Sequence, residues 1–233
     1  MRTIPLLILI FSGFHSKGQV NILDCLSLKD SVYGEYQSGE YKVQNEVIDL
    51  KNGYYAMEWH EKNKEGEIIN AFPLFEAAVF KNADETWSLG ISEFHADMQC
   101  SWHKLFFYEI SKNGDTITEM DLDGLLPKLN KRDFLSESSS IKVLEKYLPI
   151  MKEVYLGPDA TIDDAIDEVY AIHFKMPVRG LLLKAELTVC DYIPLNQVDF
   201  SLQDWEIIEH DHQSLILHYD RKLKAFKPAK TSN

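Results

Sequence analysis

The sequence lacks an apolar run long enough to cross a membrane. Its longest nearly unbroken apolar run covers residues 4–14, whereas a spanning helix needs about 20 residues. Arg2 precedes this run, and Ser16-Lys17-Gly18 follows it with small residues at the two positions that a signal peptidase reads. We therefore predict a cleavable signal peptide over residues 1–18, a secreted or periplasmic protein, and no membrane span after cleavage.

Cysteine is scarce, because Cys25, Cys100 and Cys190 are the only three in the chain. This number excludes a disulfide-rich scaffold, although two of the three can pair in an oxidising compartment and leave one thiol over. Spacing does not determine the pair; we favour Cys100 with Cys190, which would link the two halves of the chain. Cys25 follows Leu23-Asp24 and not the small residues of a lipidation signal, so we expect no lipid anchor.

Basic residues are few relative to acidic ones. The chain has 24 Lys and Arg against 37 Asp and Glu, a formal net charge of −13 that becomes −15 when Arg2 and Lys17 leave with the signal peptide. Such a charge repels phosphate backbones and anionic headgroups, so we expect no nucleic-acid partner and no electrostatic membrane docking. Five of the basic residues lie between Arg221 and Lys230, which we interpret as a solvated end.

Sequence motifs of several enzyme classes are also missing. The chain contains no G-x-S-x-G elbow, no phosphate-binding G-x-x-x-x-G-K loop and no G-x-G-x-x-G fingerprint. His60-Glu61 does not begin a zinc-protease helix, because position 64 is Lys64 and not histidine. Paired carboxylates for glycoside hydrolysis have no fixed spacing and stay open.

Strand patterns dominate residues 43–120. We predict three hairpins, over residues 47–60 around Lys51-Asn52-Gly53, residues 74–94 around positions 82–85, and residues 104–120 around Lys112-Asn113-Gly114. Asn52 and Gly53 would supply the two positive φ angles of a tight hairpin turn. In the second hairpin, Trp87, Leu89 and Ile91 would share one face. The Lys-Asn-Gly turns recur 61 residues apart, which is compatible with an internal repeat.

The second half begins with a helix pattern. Ser140 could cap a short helix that presents Ile141, Leu144 and Leu148 on one face and ends at Pro149. Strands are predicted at 169–174 and 181–189, and a last hairpin pairs 205–209 with 215–219. We place a boundary before the helix, giving an N-terminal β-hairpin region over residues 19–135 and a C-terminal region over residues 136–233.

These patterns predict a mainly β fold, α+β at the margin, with antiparallel hairpins forming one large or two small domains and one or two short helices. The repeated hairpins with Lys-Asn-Gly turns after a signal peptide resemble small exported bacterial β-rich proteins of unassigned function. That resemblance covers about half the chain. It implies antiparallel architecture and brings no catalytic residue with it.

One loop concentrates possible metal ligands. His95, Asp97, Cys100 and His103 place imidazole, carboxylate and thiolate groups within nine residues between two predicted strands, a set that suits zinc. The order of the residues differs from the usual paired zinc patterns, and a disulfide at Cys100 would remove the thiolate. An ordinary polar loop is the alternative.

Three further polar segments have structural explanations. Glu119, Asp121, Asp123 and Gly124 imitate the start of a calcium loop, but its twelfth position is Asn130 where a bidentate glutamate is needed. The acidic residues between 159 and 168 are typical of a solvated surface. Residues 210–212, with two histidines, would form a hairpin tip that could bind a metal, although turn tips collect polar residues for backbone reasons.

The function that these patterns favour is a non-catalytic binding or interaction module, without a cofactor, for a protein or carbohydrate ligand. The alternative is a metal-dependent hydrolase of the cell envelope or periplasm, in which His95, Asp97 and His103 hold a zinc that activates water. A structural part of an envelope assembly is a third possibility. Exposed tryptophans would favour carbohydrate binding, whereas an apolar patch or an unpaired sheet edge would favour assembly.

Overall fold

The computed structural model describes residues 20–27, 45–62, 68–94, 103–135, 139–189 and 197–229. Two antiparallel sheets, of six and four strands, and five short helices make up these residues, so the predicted β-rich, α+β class is confirmed. The predicted signal peptide lies outside the described residues. None of the described helices is long and apolar enough to span a membrane.

The six-stranded sheet is a meander in which each strand pairs with the next along the chain. Its strands are β1 (Asn45–Asp49), β2 (Tyr54–Lys62), β3 (Ile68–Lys81), β4 (Trp87–Phe94), β5 (His103–Ile110) and β6 (Ile117–Glu119). The three predicted hairpins are therefore confirmed in position and partner.

The first turn differs from the tight turn that we predicted. Asp49 pairs with Tyr54, so the loop has four residues, and only Gly53 among them has a positive φ (68°). Asn52 instead donates its backbone N–H to the Asp49 carboxylate at 3.1 Å. Longer hairpin loops are built around an ordinary turn that ends in one left-handed residue, which explains why a single glycine is enough here.

Each face of the six-stranded sheet is buried against a different element. One face carries Leu89 and Ile91, as predicted, and packs on helix α1 (Ile22–Ser27). The other face packs on the four-stranded sheet.

Cys25 of helix α1 is a free thiol whose pKa is raised to about 12 by burial and by the charge of Asp24. Cys100 and Cys190 lie outside the described residues, so their pairing stays a prediction.

The four-stranded sheet has the order β10-β9-β8-β7. Its strands are β7 (Tyr170–Lys175), β8 (Leu182–Val189), β9 (Leu215–Asp220) and β10 (Ala225–Pro228). Strands β7 and β8 match the predicted ones, while β10 corrects the interpretation of the basic C-terminal segment as a solvated end. Phe226 explains the difference, because it is 3% exposed among aromatic rings of both sheets.

The remaining helices are α2 (Leu122–Leu125), α3 (Ser139–Met151), α4 (Ile162–Val169) and α5 (Leu202–His210). Helix α5 contradicts the strand predicted at 205–209. The Ser201 side chain accepts the Asp204 N–H and so starts a helix there. Helix α4 occupies the acidic stretch and starts at Thr161, whose side chain and that of Asp164 form a reciprocal capping box.

Helix α3 continues past Pro149, where we predicted its end. It reaches the fully buried Met151 and then widens into a π-helical turn, Lys152–Leu156, that stops at Gly157 (φ 89°). Proline removes only one N–H from the ladder, and the burial of Met151 keeps the last turn in place. Ser140 lies inside the helix instead of capping it, and its hydroxyl oxygen lies 2.9 and 3.0 Å from the Ile207 and Asp211 carbonyls, which share its one proton.

The inner face of the four-stranded sheet contacts two partners. Tyr170, Ala185 and Leu187 pack on α3, α4 and α5, whereas Leu217 and Tyr219 share a core with β2, β3 and β5 of the larger sheet. The larger sheet comes from residues before 120 and the smaller from residues after 169, either side of the boundary that we predict.

Candidate functional site

The predicted metal loop lies almost entirely outside the described residues. His95, Asp97 and Cys100 are not described, and His103 opens strand β5 opposite Phe94. In the part of the chain that the structure describes, no three His, Cys, Asp or Glu side chains are placed to hold a metal ion. Zinc at this loop stays a prediction.

The residues that imitate a calcium loop have structural roles. The Asp121 carboxylate accepts the Asp123 N–H at 3.0 Å and starts helix α2, and the Asn130 side chain accepts the Arg132 N–H at 2.8 Å. In the acidic stretch, Asp163 forms an ion pair with Arg132 at 2.5 Å. Capping and surface ion pairs account for these carboxylates.

His210 and His212 lie at and just beyond the C-terminus of α5, and not at the hairpin tip that we predicted. His212 Nε2 lies 3.0 Å from the Glu209 carbonyl, so this nitrogen is the donor. Nδ1 is buried and has no hydrogen-bond partner among the described residues. This hydrogen bond attaches the His212 imidazole to the end of α5 and has a structural role.

Glu76 on β3 is the one described carboxylate with a buried position between the two sheets. Its oxygens accept the Tyr54 hydroxyl at 2.9 Å and the Met176 N–H at 3.2 Å. Burial raises its pKa, and these two hydrogen bonds and Lys175 only partly oppose that shift. A raised carboxylate pKa is a feature of general acids, but both oxygens are already occupied, so the geometry assigns Glu76 to the junction of the sheets.

The outer face of the four-stranded sheet is the strongest candidate for a binding surface. Lysines from three of its strands and His218 from the fourth lie there, because the side chains of alternate residues point to the same side. We define the basic sheet face as Lys175 on β7, Leu182 and Lys184 on β8, Ile216 and His218 on β9, and Lys227 on β10.

The strand register fixes the order of these side chains. Lys184 stands opposite Lys175 on one side and Ile216 on the other, and His218 stands opposite Leu182 and Lys227. Leu182 and Ile216 are therefore diagonal neighbours across β8 and β9, about 7–8 Å apart. They are 49% and 40% exposed, so two large apolar side chains lie together at the centre of the basic residues.

Two carboxylates on this face form ion pairs with its three lysines. Glu186 on β8 forms ion pairs with both Lys175 and Lys184, the second at 2.6 Å, and Asp220 pairs with Lys227 at 3.1 Å. Burial opposes the charge of Glu186, but the two ammonium groups together outweigh it and lower its pKa. These contacts also reduce the repulsion between Lys175 and Lys184, which face each other directly.

Sequence reasoning did not find this surface. The alternation of β8 was visible, but β10 was interpreted as a solvated end, and without β9 and β10 paired beside β8 the basic residues are far apart in the chain. The signal that could have indicated β10 is Phe226, an aromatic residue between Lys224 and Lys227.

Comparison of the chain with protein-family models, curated proteins and solved structures finds no significant match.

Proposed function

We propose that this protein is an exported, non-catalytic binding module that holds its partner on the basic sheet face. The observation that carries the proposal is the pair of exposed apolar residues, Leu182 and Ile216, at the centre of a regular sheet face. The solvated face of an antiparallel sheet is normally polar, and apolar residues with a charged rim are typical of interaction surfaces.

The position of these residues also supports binding through a rigid surface. The opposite side of the same strands packs in the core, where Leu183 and Leu217 are 0% and 1% exposed. A side chain on a strand anchored in this way keeps its orientation, so less conformational entropy is lost when a ligand binds.

Selection from a peptide display library and a glycan array, both with the immobilised mature chain, would test this function. We expect ligands whose binding falls at least about tenfold in the double variant Leu182→Ser, Ile216→Ser. The matched control is Ile150→Ser with Leu202→Ser, since both residues are exposed apolar positions on helices. No ligand, or ligands that bind both variants equally, would contradict the proposal.

Export is a separate part of the proposal and rests on the pattern of residues 1–18. Expression of the full chain should give a mature species that begins at Gln19 in the exported fraction. Intact mass and N-terminal sequencing would measure this, and a chain that keeps residues 1–18 in the cell would be the contrary result.

A further inference from the structure

We propose that the basic sheet face binds an extended acidic polypeptide segment that presents carboxylate and apolar side chains in turn along one side. This inference rests on the proposed function and specifies the class of partner. The chain has a formal net charge of −13, yet this face carries three lysines and His218 against two carboxylates, Glu186 and Asp220. A surface on which lysines outnumber carboxylates attracts anionic groups and orients them.

The lysines of this face already bind carboxylates. Lys175 and Lys184 share Glu186, and Lys227 binds Asp220. Each ammonium group has three N–H donors, and the three lysine side chains are 43–55% exposed. Each lysine can therefore donate to a second carboxylate that belongs to a ligand.

The spacing of the face fits an extended chain. Neighbouring strands lie about 4.8 Å apart, so the basic residues on four strands extend over about 14 Å, and an extended peptide places alternate side chains about 7 Å apart. Carboxylates four residues apart on one side of such a peptide lie about 14 Å from each other and can reach lysines at both ends of the face, while the side chain midway between them lies over its centre.

The apolar centre distinguishes a polypeptide from a simple polyanion. A sulfated polysaccharide or a phosphate chain has no aliphatic side chain to cover Leu182 and Ile216, whereas a leucine or valine two residues from a carboxylate, on the same side of the peptide, would bury them. Burial of apolar area contributes about 25 cal/mol per Å², so the apolar residues of the partner should contribute to affinity.

Fluorescence anisotropy with four labelled probes would test the inference. The probes are a heparin oligosaccharide and three nine-residue peptides with serine at every second position. The positions between the serines share one side of the extended chain and carry Glu and Leu in turn, Glu and Ser in turn, or Lys and Leu in turn, which gives the Glu-Leu, Glu-Ser and Lys-Leu peptides. We expect the Glu-Leu peptide to bind most tightly, with an affinity that falls as salt rises. Tighter binding of the Lys-Leu peptide or of heparin would overturn the inference.

Variants locate the binding and separate charge from apolar contact. Lys184→Glu should weaken Glu-Leu binding by about tenfold, whereas Lys142→Glu, the same charge change at an exposed lysine of α3, should alter it less than about twofold. Lys184→Met keeps the aliphatic stem and serves if Lys184→Glu does not fold. Ile216→Ser should weaken the Glu-Leu peptide and leave the Glu-Ser peptide unchanged.

The outcomes separate this inference from the proposed function. If the Lys-Leu peptide binds best and loses binding on Leu182→Ser with Ile216→Ser, the face is a binding surface and the acidic partner is wrong. If no probe depends on residues of the face, both proposals are wrong. Equal effects of Lys184→Glu and Lys142→Glu would mean attraction by total charge alone and would also overturn the inference.

Discussion

At the scale of single residues, a buried hydroxyl joins the two sheets. Tyr219 on β9 donates to Asn82 Oδ1 at 2.8 Å and lies 2.7 Å from Ser88 Oγ. In the larger sheet, Asn82 lies in the turn after β3 and Ser88 lies on β4. All three residues are at most 1% exposed. Removal of this hydroxyl would leave buried polar atoms short of a partner, and such atoms cost about 1–3 kcal/mol.

We therefore expect Tyr219→Phe to lower the free energy of unfolding by about 1–2 kcal/mol. Tyr155→Phe is the matched control, because the Tyr155 hydroxyl is buried without a hydrogen-bond partner among the described residues; its removal should be neutral or slightly stabilising. Urea denaturation of both variants measures this difference. Equal losses would show that the Tyr219 hydroxyl has no special role.

Glu76 gives a prediction with a defined pH dependence. Its pKa is raised by burial, so the folded state holds its proton to higher pH than the unfolded state. The stabilisation from this group is thus complete below the unfolded pKa and is lost as pH rises through the folded pKa. Glu76→Gln can donate to Tyr54 and accept from the Met176 N–H without a charge.

The variant should therefore be more stable than the wild type at neutral pH, with an advantage that shrinks as the pH falls towards 4. Lys175 and Glu186 are the other charged groups near Glu76, and neither is changed. Denaturation curves at a series of pH values measure the difference. A gain independent of pH, or a loss at neutral pH, would show that an ionised Glu76 is not the unfavourable group.

At the scale of elements, strand β10 contributes one buried residue, Phe226, to the core between the sheets. Phe226 lies 5.6, 5.4 and 4.9 Å, centroid to centroid, from the rings of Phe80, Phe107 and Tyr219. Phe226→Ala should cost about 3–5 kcal/mol. Leu223→Ala, at a 60% exposed position in the same hairpin, should cost much less, and thermal denaturation of the two variants would show it. If both substitutions lowered stability by a similar small amount, β10 would be a solvated end and not part of the core.

The elements also show which sequence signals were sufficient. Alternating apolar residues predicted β1 to β6, with a glycine in the first and third turns, because a strand with a buried face has a strict period of two. Helices α4 and α5 were missed, although Thr161 and Ser201 each have aspartate three residues later, a helix-start signal. The basic sheet face could not be predicted, because it exists only where the register aligns Lys184, Ile216 and His218 on neighbouring strands.

At the scale of the whole molecule, Gly90 on β4 allows the two sheets to pack together. A Cβ at this position would lie 2.6 Å from Phe107 Cε1 and 3.1 Å from Met176 Sδ. These two side chains are 0% and 3% exposed, and Met176 directly follows the last residue of β7 in the smaller sheet. An added methyl group would therefore force the sheets apart or displace a core ring.

We expect Gly90→Ala to destabilise the protein by about 1–3 kcal/mol, and Gly124→Ala, with nothing within 4 Å of the added Cβ, to be neutral or stabilising. Since the sheets share one core cluster, unfolding should be a single transition that Gly90→Ala shifts as a whole. Tryptophan fluorescence and far-UV circular dichroism should give coincident denaturation curves for the wild type and this variant. Two separated transitions, with only one moved by Gly90→Ala, would mean that the sheets unfold independently and that the shared core contributes little to their coupling.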